Sequence, residues 1–306
     1  MDKAHITTDK QLATMERKLT AMYSRADKKL GEKIKAYFAS LEKKESALLK
    51  AIETAETDED KKHAEKAHKD FLLGRTINSE RFSALVENHA KNLLELNQEA
   101  ADYVAGRMPD VYAMNYNAVG VGIQSDVKGY SFDLVDASTV KTLATKDETL
   151  LPYKVIDGKK DVRWNTKAVN SEVLQGILQG ESIPTITKRL QNVTEMNLAS
   201  AVRNARTSTT CAENRGRMDS YHRAQSMGIQ LVKEWMAASD ARTRTEHIEL
   251  DGQEAEIDEP FVNSFGKIMY PGDPDANPAN VYNCRCTLVA RVVGFGRSSF
   301  AEKDVR

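Results

Sequence analysis

Between residues 8 and 50 the apolar positions fall at Leu12, Met15, Leu19, Met22, Ala26, Leu30, Ile34, Tyr37 and Leu41, in steps of three and four. That spacing predicts one long helix carrying a narrow apolar stripe. The stretch has no proline and a single glycine, Gly31, so nothing in it forces a break. So narrow a stripe needs a second helix or another chain to cover it. Residues 53–69 are dominated by charged side chains and read as solvated helix or hinge. A second seam, Phe82, Leu85, His89, Leu93, Leu96, Ala100 and Tyr103, follows an N-cap signal at Asn78-Ser79 and stops at Gly106, with Pro109 just beyond. Residues 1–106 are therefore expected to form a helical arm or hairpin. A construction in which residues 1–105 are dispensable for folding of the C-terminal domain is the corresponding expectation.

The pattern changes near residue 110. Asn115-Tyr116-Asn117 and Gly120-Val121-Gly122 carry turn chemistry, residues 130–135 alternate like a half-buried strand, and residues 151–156 form a short apolar run closed by Asp157-Gly158. A mixed α/β connecting region over 107–180 is expected. Ser182-Ile183-Pro184 starts a helix with serine as cap and proline in the first turn. The helix over 194–227 has an inner face of Leu198, Val202, Ala205, Thr209, Ala212 and Gly216, small side chains that permit close approach, and Gly228 ends it. Strand patterns follow at 230–236 and 286–293. The expected class is α+β: a long N-terminal helical arm, the mixed middle region, then a C-terminal domain over 181–296 in which a helix packs on a small antiparallel sheet. Residues 297–306 read as a polar, flexible tail.

Composition narrows the function classes. The 306 residues hold 44 Lys and Arg against 45 Asp and Glu, a formal charge of −1, which excludes a polycation gripping nucleic acid by bulk charge. No run of 18 apolar residues suits a membrane span, and the N-terminus lacks a secretory apolar stretch, so no membrane partner is expected. Cys211, Cys284 and Cys286 cannot make a disulfide framework, which fits a reducing compartment.

The chemistry is concentrated between Trp235 and Cys286. Asp240, Arg242, Arg244, His247 and Asp251 lie within twelve residues, and their carboxylates and guanidiniums could pair and lock a loop. Pro271, Gly272, Asp273, Pro274 and Pro278 make a rigid, turn-rich return to the last strand. An extended Cys284-Arg285-Cys286 would point both thiols to one face, with Asn283 and Arg285 as partners for loop backbone.

The order D-x-R-T-R-x-x-H-x-x-L-D-G-Q, then P-F, P-G-D-P and N-C-R-C, resembles the C-terminal domain of the phage Mu F-like minor head (head morphogenesis) proteins. The upstream R-N-A-R-T-S-T-T-C-A-E-N-R-G-R-M-D-S-Y is similar to a helix of the same family, so the resemblance covers about residues 183–293. It implies a structural, non-enzymatic minor capsid protein of a tailed phage, assembled in the host cytoplasm and carried inside the virion. Its implied partners are the portal protein at the portal vertex, then scaffold and major capsid proteins, with a part in DNA packaging or ejection. Many members carry C-x-x-C before L-D-G and H-x-x-C-R-C at the end, a zinc-like ligand set. Here Arg244 and His247 stand in place of the first pair, and Val281 stands in place of the later histidine. That leaves His247, Cys284 and Cys286, with Asp251 or Asp273 as a fourth candidate, so no cofactor is expected and ion pairs are expected to replace zinc as the staple. The rival reading is a metal-dependent or metal-free hydrolase or nuclease using His247 and Asp251. Arg203, Arg206, Arg215 and Arg217 are candidates for non-specific DNA contact.

Overall fold

The structure, a computed structural model, describes residues 2–74, 80–127, 129–179, 181, 183–238 and 240–295. In chain order its elements are α1 (Lys3–Glu53), α2 (Asp58–Gly74), α3 (Glu80–Ala105), α4 (Met108–Asp126), α5 (Ala137–Lys146), α6 (Gly158–Leu178), α7 (Ile183–Ser226), β1 (Ile229–Met236), α8 (Thr245–Ile248), β2 (Glu254–Glu256), β3 (Phe261–Asn263), β4 (Gly266–Ile268), α9 (Pro278–Val281) and β5 (Thr287–Phe295). This is the expected α+β class, with the long N-terminal helix and the small C-terminal sheet. The caps expected at Asn78-Ser79 and Ser182, the tail over 297–306, and the side chains of Ile34, Phe82 and Leu85 lie outside the described residues. The chain divides into two compact units, one of residues 1–18, 100–155 and 201–306, the other of residues 19–99 and 156–200.

The second unit is helical. Leu30 of α1, Val86 and Leu93 of α3, Val169 and Val173 of α6, and Ile186, Leu190 and Val193 of α7 form its apolar core. Beside that core runs a ladder of buried amides. Tyr23 Oη donates to Asn97 Oδ1 at 2.6 Å, and Asn97 Nδ2 donates to Asp161 Oδ2 at 2.8 Å and to Asn197 Oδ1 at 2.7 Å. Asn197 Nδ2 in turn donates to Asn165 Oδ1 at 2.9 Å. A satisfied ladder of this kind holds four helices at one axial register, because a one-turn slip would leave buried amides without partners.

The first unit holds the sheet, ordered β2-β1-β5 and antiparallel throughout, with β3-β4 a separate hairpin. Trp235 pairs with Leu288 and Met236 with Thr287 at the end where β5 begins. The sheet packs with α4 and α7 through Ile123, Phe132, Met218, Tyr221, Trp235, Leu250, Ile257, Phe261 and Leu288. Gly216, read from the sequence as a close-approach position, meets the backbone of α4: a Cβ there would lie 2.5 Å from the Tyr112 carbonyl oxygen.

The middle stretch corrects the expectation of mixed α/β structure, since no strand occurs among the described residues of 107–180. Helix α3 ends at Ala105 as expected, Pro109 beyond it opens α4, and the supposed turn residues serve tertiary contacts within α4. Asn115 Nδ2 donates to Thr8 Oγ1 at 2.9 Å, and Gly120 makes room for the Phe132 ring. Residues 130–135 are extended but pair with a side chain instead of a strand. Asn117 Nδ2 donates to the Val135 carbonyl at 2.8 Å, and its Oδ1 accepts from Val135 N at 3.0 Å. Asp157 closes no hairpin; it accepts from Lys159 N and Lys160 N, both at 3.1 Å, where α6 begins.

One buried charge in the sheet went unnoticed in the sequence. Lys233 of β1 is fully buried, with Nζ donating to the carbonyls of Ile257 at 2.8 Å and Met269 at 2.9 Å, 5.4 Å from the Phe261 ring centre. Burial lowers its pKa to about 8 from an ordinary 10.5. A base with a depressed folded pKa binds fewer protons folded than unfolded, so this lysine's contribution to stability rises with pH between about 8 and 10.5. In thermal melts, the difference between wild type and K233M is expected to move in favour of wild type from pH 7 to pH 10. A pH-independent difference would contradict this.

Candidate functional site

The motif region is built between α7 and the end of the sheet. After β1 the chain loops through Asp240 into the single turn of α8, and Asp251-Gly252 returns it to β2. Gly252 has a positive φ of 75°, its N–H donates to the Trp235 carbonyl at 2.8 Å, and Asp251 Oδ1 accepts from Ala237 N at 2.7 Å. Asp251 thus ties down backbone. Asp273 does the same in the P-G-D-P loop, accepting from Met269 N and Asp275 N, each at 3.0 Å.

The expected five-membered ion-pair staple does not form as such. Asp240 pairs with Arg242 at 3.4 Å and more closely with Arg285 at 2.6 Å, and the Arg285 hydrogen bond holds its carboxyl below the usual carboxylate range. Arg244 leaves the carboxylates altogether and donates to the carbonyls of Ala279 and Tyr282, in the segment entering the Cys-x-Cys. A guanidinium has five donors in a fixed fork, so one arginine can clamp two carbonyls of a turn.

His247 points inward instead. Its Nδ1 lies 3.5 Å from Cys284 Sγ and 3.5 Å from Cys286 Sγ, and all three residues are buried. The ring stands edge-on to Trp235 at 5.2 Å between centres. Hydrogen bonding with Cys284 draws the Cys286 thiol below its ordinary range against the effect of burial, with His247 adding to the pull. Burial, reinforced by Cys286, pushes Cys284 up. Among the described residues no other histidine, cysteine or carboxylate joins the three, so neither Asp251 nor Asp273 becomes the fourth ligand weighed from the sequence.

The Cys-x-Cys backbone is set by side chains of α7 that the sequence pattern did not single out. Thr210 Oγ1 donates to the Cys284 carbonyl at 2.5 Å, Asn214 Nδ2 donates to the Cys286 carbonyl at 3.2 Å, and Asn214 Oδ1 accepts from Leu288 N at 2.8 Å. Asn283 takes a left-handed φ of 59°, which asparagine tolerates, and donates its N–H to Thr207 Oγ1 at 3.2 Å. The available signal was Thr207, Thr210, Glu213, Asn214 and Arg217, a polar stripe at helical spacing beside small apolar residues.

The four arginines proposed for DNA contact do not share a free basic face. Arg217 is buried and donates to Asp2 Oδ2 at 2.6 Å, Asp2 Oδ1 at 2.9 Å and the Leu288 carbonyl at 2.9 Å. Arg206 pairs with Glu16 at 2.6 Å, Arg215 with Asp219 at 3.1 Å, and Arg203 is exposed. The charge on this helix is largely directed at acids of the same unit, which is why a count of arginines overstated its pull on phosphate.

A helix whose polar stripe fixes a Cys-x-Cys turn, a His-bearing loop and a P-G-D-P return together define the kind of domain present. Residues 167–289 match the model of the family described as Phage Mu protein F like protein, so the resemblance drawn from the motifs holds over that stretch. The chain is 29% identical over 169 residues to "Minor head protein GP7" of Bacillus phage SPP1, covering 55% of this chain and 54% of that protein. It is 32% identical over 126 residues to "NAD(+)--arginine ADP-ribosyltransferase EFV" of Enterococcus faecalis (strain ATCC 700802 / V583), covering 41% of this chain and 26% of that protein. The chain thus spans about half and about a quarter of these curated relatives' lengths. No solved structure matches it. No described helix is long and apolar enough to cross a membrane.

Proposed function

We propose that this chain is a minor head protein of a tailed phage, taken into the assembling head at the portal vertex, where it assists assembly and DNA packaging or delivery. The observation that carries this reading is the Mu F-like match over residues 167–289, joined to the alignment with a minor head protein over 169 residues. The use made of the motif residues supports it: Asp240, Arg244, Asp251, Asp273 and Arg285 all hold loops in place. In this reading the protein resides inside the virion, with portal, scaffold and major capsid proteins as its partners. The test is co-expression with the capsid, scaffold and portal proteins of its own phage, with and without the portal, followed by purification of procapsids. Portal-dependent incorporation is expected. Incorporation without the portal would move the partner to scaffold or shell, and absence from procapsids in both cases would overturn the reading.

The rival enzymatic reading gains nothing from the site. A hydrolase needs His247 and Asp251 to act on a common substrate, yet His247 Nδ1 faces two thiols and Asp251 is engaged by Ala237 N. The relative named as an ADP-ribosyltransferase aligns over only 26% of its own length. Purified protein is expected to neither cleave DNA nor consume NAD; turnover lost in H247A would favour the enzyme.

A further inference from the structure

We propose that His247, Cys284 and Cys286 form a three-donor site for zinc, with no fourth protein donor among the described residues and the Arg244 clamp making the loop closure that such a ligand would supply. The distances decide between this and a metal-free cluster. A tetrahedral zinc with Zn–S of about 2.3 Å and Zn–N of about 2.05 Å sets sulfur and nitrogen roughly 3.6 Å apart. Both thiols stand 3.5 Å from the same Nδ1, and all three donor atoms lie within 4.8 Å of one another.

Hydrogen bonding alone accounts poorly for that convergence. An imidazole nitrogen offers one lone pair or one proton, so it makes one good bond, not two. A cation at the centre of the three atoms uses both sulfurs and the nitrogen lone pair at once. The Cys286 N–H also points at Cys284 Sγ, at 3.4 Å, and a backbone donor on sulfur favours the thiolate that a metal requires. Two thiolates and one zinc ion sum to zero charge, which suits a site whose three residues are nearly inaccessible to water.

The surroundings hold the donors in place without metal. Thr210 and Asn214 fix the carbonyls of both cysteines from a long helix, while Arg285 between them is turned out to Asp240. Arg244 secures the carbonyls of Ala279 and Tyr282, so the loop closure that a fourth ligand would supply is already made. Metal would then be bound by a largely formed site.

The experiment uses untagged full-length protein purified without chelator. Elemental analysis after gel filtration is expected to give about one zinc per chain, as three converging donors require. After chelator treatment, equimolar cobalt(II) is expected to produce thiolate-to-metal charge transfer and intense tetrahedral d–d bands. C211S should retain both signals, and C284S, C286S and H247N should each lose most of the bound metal. Folded wild-type protein that purifies without zinc and takes up no cobalt overturns the proposal, as does metal that survives in the C284S/C286S double variant. The wild-type content and cobalt spectrum decide the matter even where a variant fails to fold, and neither depends on how the protein enters phage heads.

Discussion

Replacing Arg217 by methionine is expected to lower the unfolding free energy by about 3–5 kcal/mol, the loss typical of a buried ion pair deprived of one partner. The guanidinium is used on all sides: two bonds to Asp2, one to the Leu288 carbonyl, one to Asn115 Oδ1 at 3.2 Å, and contact with Glu213 at 3.3 Å. Glu213 is itself buried and accepts from Thr287 Oγ1 at 2.9 Å while facing His5 Nδ1 at 2.8 Å. Without Arg217 the Leu288 carbonyl and Asn115 Oδ1 lose their donor, and Glu213 is left with His5 and Thr287 alone. Against a total stability of about 5–15 kcal/mol, the change is severe. Urea denaturation followed by the fluorescence of fully buried Trp235, with Trp164 replaced by phenylalanine, would measure it. D2N should cost less, since Asp2 is 43% exposed and Glu213 still faces the arginine. Removing residues 2–18 should resemble R217M, which reverses the expectation that residues 1–105 are dispensable for folding of the C-terminal domain. An unchanged midpoint in R217M would refute this account of the buried cluster.

The same cluster sets a pH window. Burial opposes protonation of His5, but Glu213 outweighs it and raises the pKa above the ordinary 6.5. Its contribution is therefore complete below pH 6.5 and fades as pH rises through the folded value. Burial likewise opposes ionisation of Asp2, yet Arg217 holds its pKa down to about 2 from 3.8, so that contribution is present above 3.8 and fades below it. Thr8 and Asn115 complete the hold on this end of α1. The stability difference between wild type and H5Q should accordingly be larger at pH 5 than at pH 8.

What could be read in the sequence, and what could not, follows from the range of the interactions. The stripe through Leu12, Met15, Leu19, Met22 and Leu30 was legible because helical burial repeats at a fixed local period, and each of these residues is buried. The strands around Trp235 and Leu288 were legible for the same reason at period two. Asn115, Asn117 and Gly120 misled because the residues that favour turns also serve buried contacts, and only the distant partners Thr8, Val135 and Phe132 reveal which role applies. The arginines misled for a related reason: their acids are far away in sequence, Asp2 and Glu16 being the partners of Arg217 and Arg206. In the motif region the sequence supplied the residues, while the allocation of partners among them required three dimensions. His247 chose two sulfurs over the neighbouring carboxylates, and Arg244 chose carbonyls.

Gly272→Ala should cost about 2–5 kcal/mol, combining a left-handed backbone at about 1–2 kcal/mol with overpacking at about 1–3 kcal/mol. Gly272 has a φ of +83°, and a Cβ built on it would lie 2.6 Å from Cys211 N and 2.9 Å from both Cys211 Cα and Thr210 C. Those atoms belong to the backbone of α7, so no side chain can swing aside; loop or helix must shift. Thr210 is also the residue that holds the Cys284 carbonyl. A shift there should loosen the His247–Cys284–Cys286 group as well as lower stability. Gly252→Ala is the matched control, because Gly252 is also left-handed, with a φ of +75°, but has open space where the Cβ would go. The loss in G252A should be the backbone part alone, and the difference between the two variants isolates the contact with α7. Thiol labelling of the native proteins should be faster in G272A than in G252A at equal denaturant distance from the midpoint. Equal losses and equal labelling rates would mean that the P-G-D-P loop does not brace α7, and that the positions of the two cysteines are set from the sheet alone.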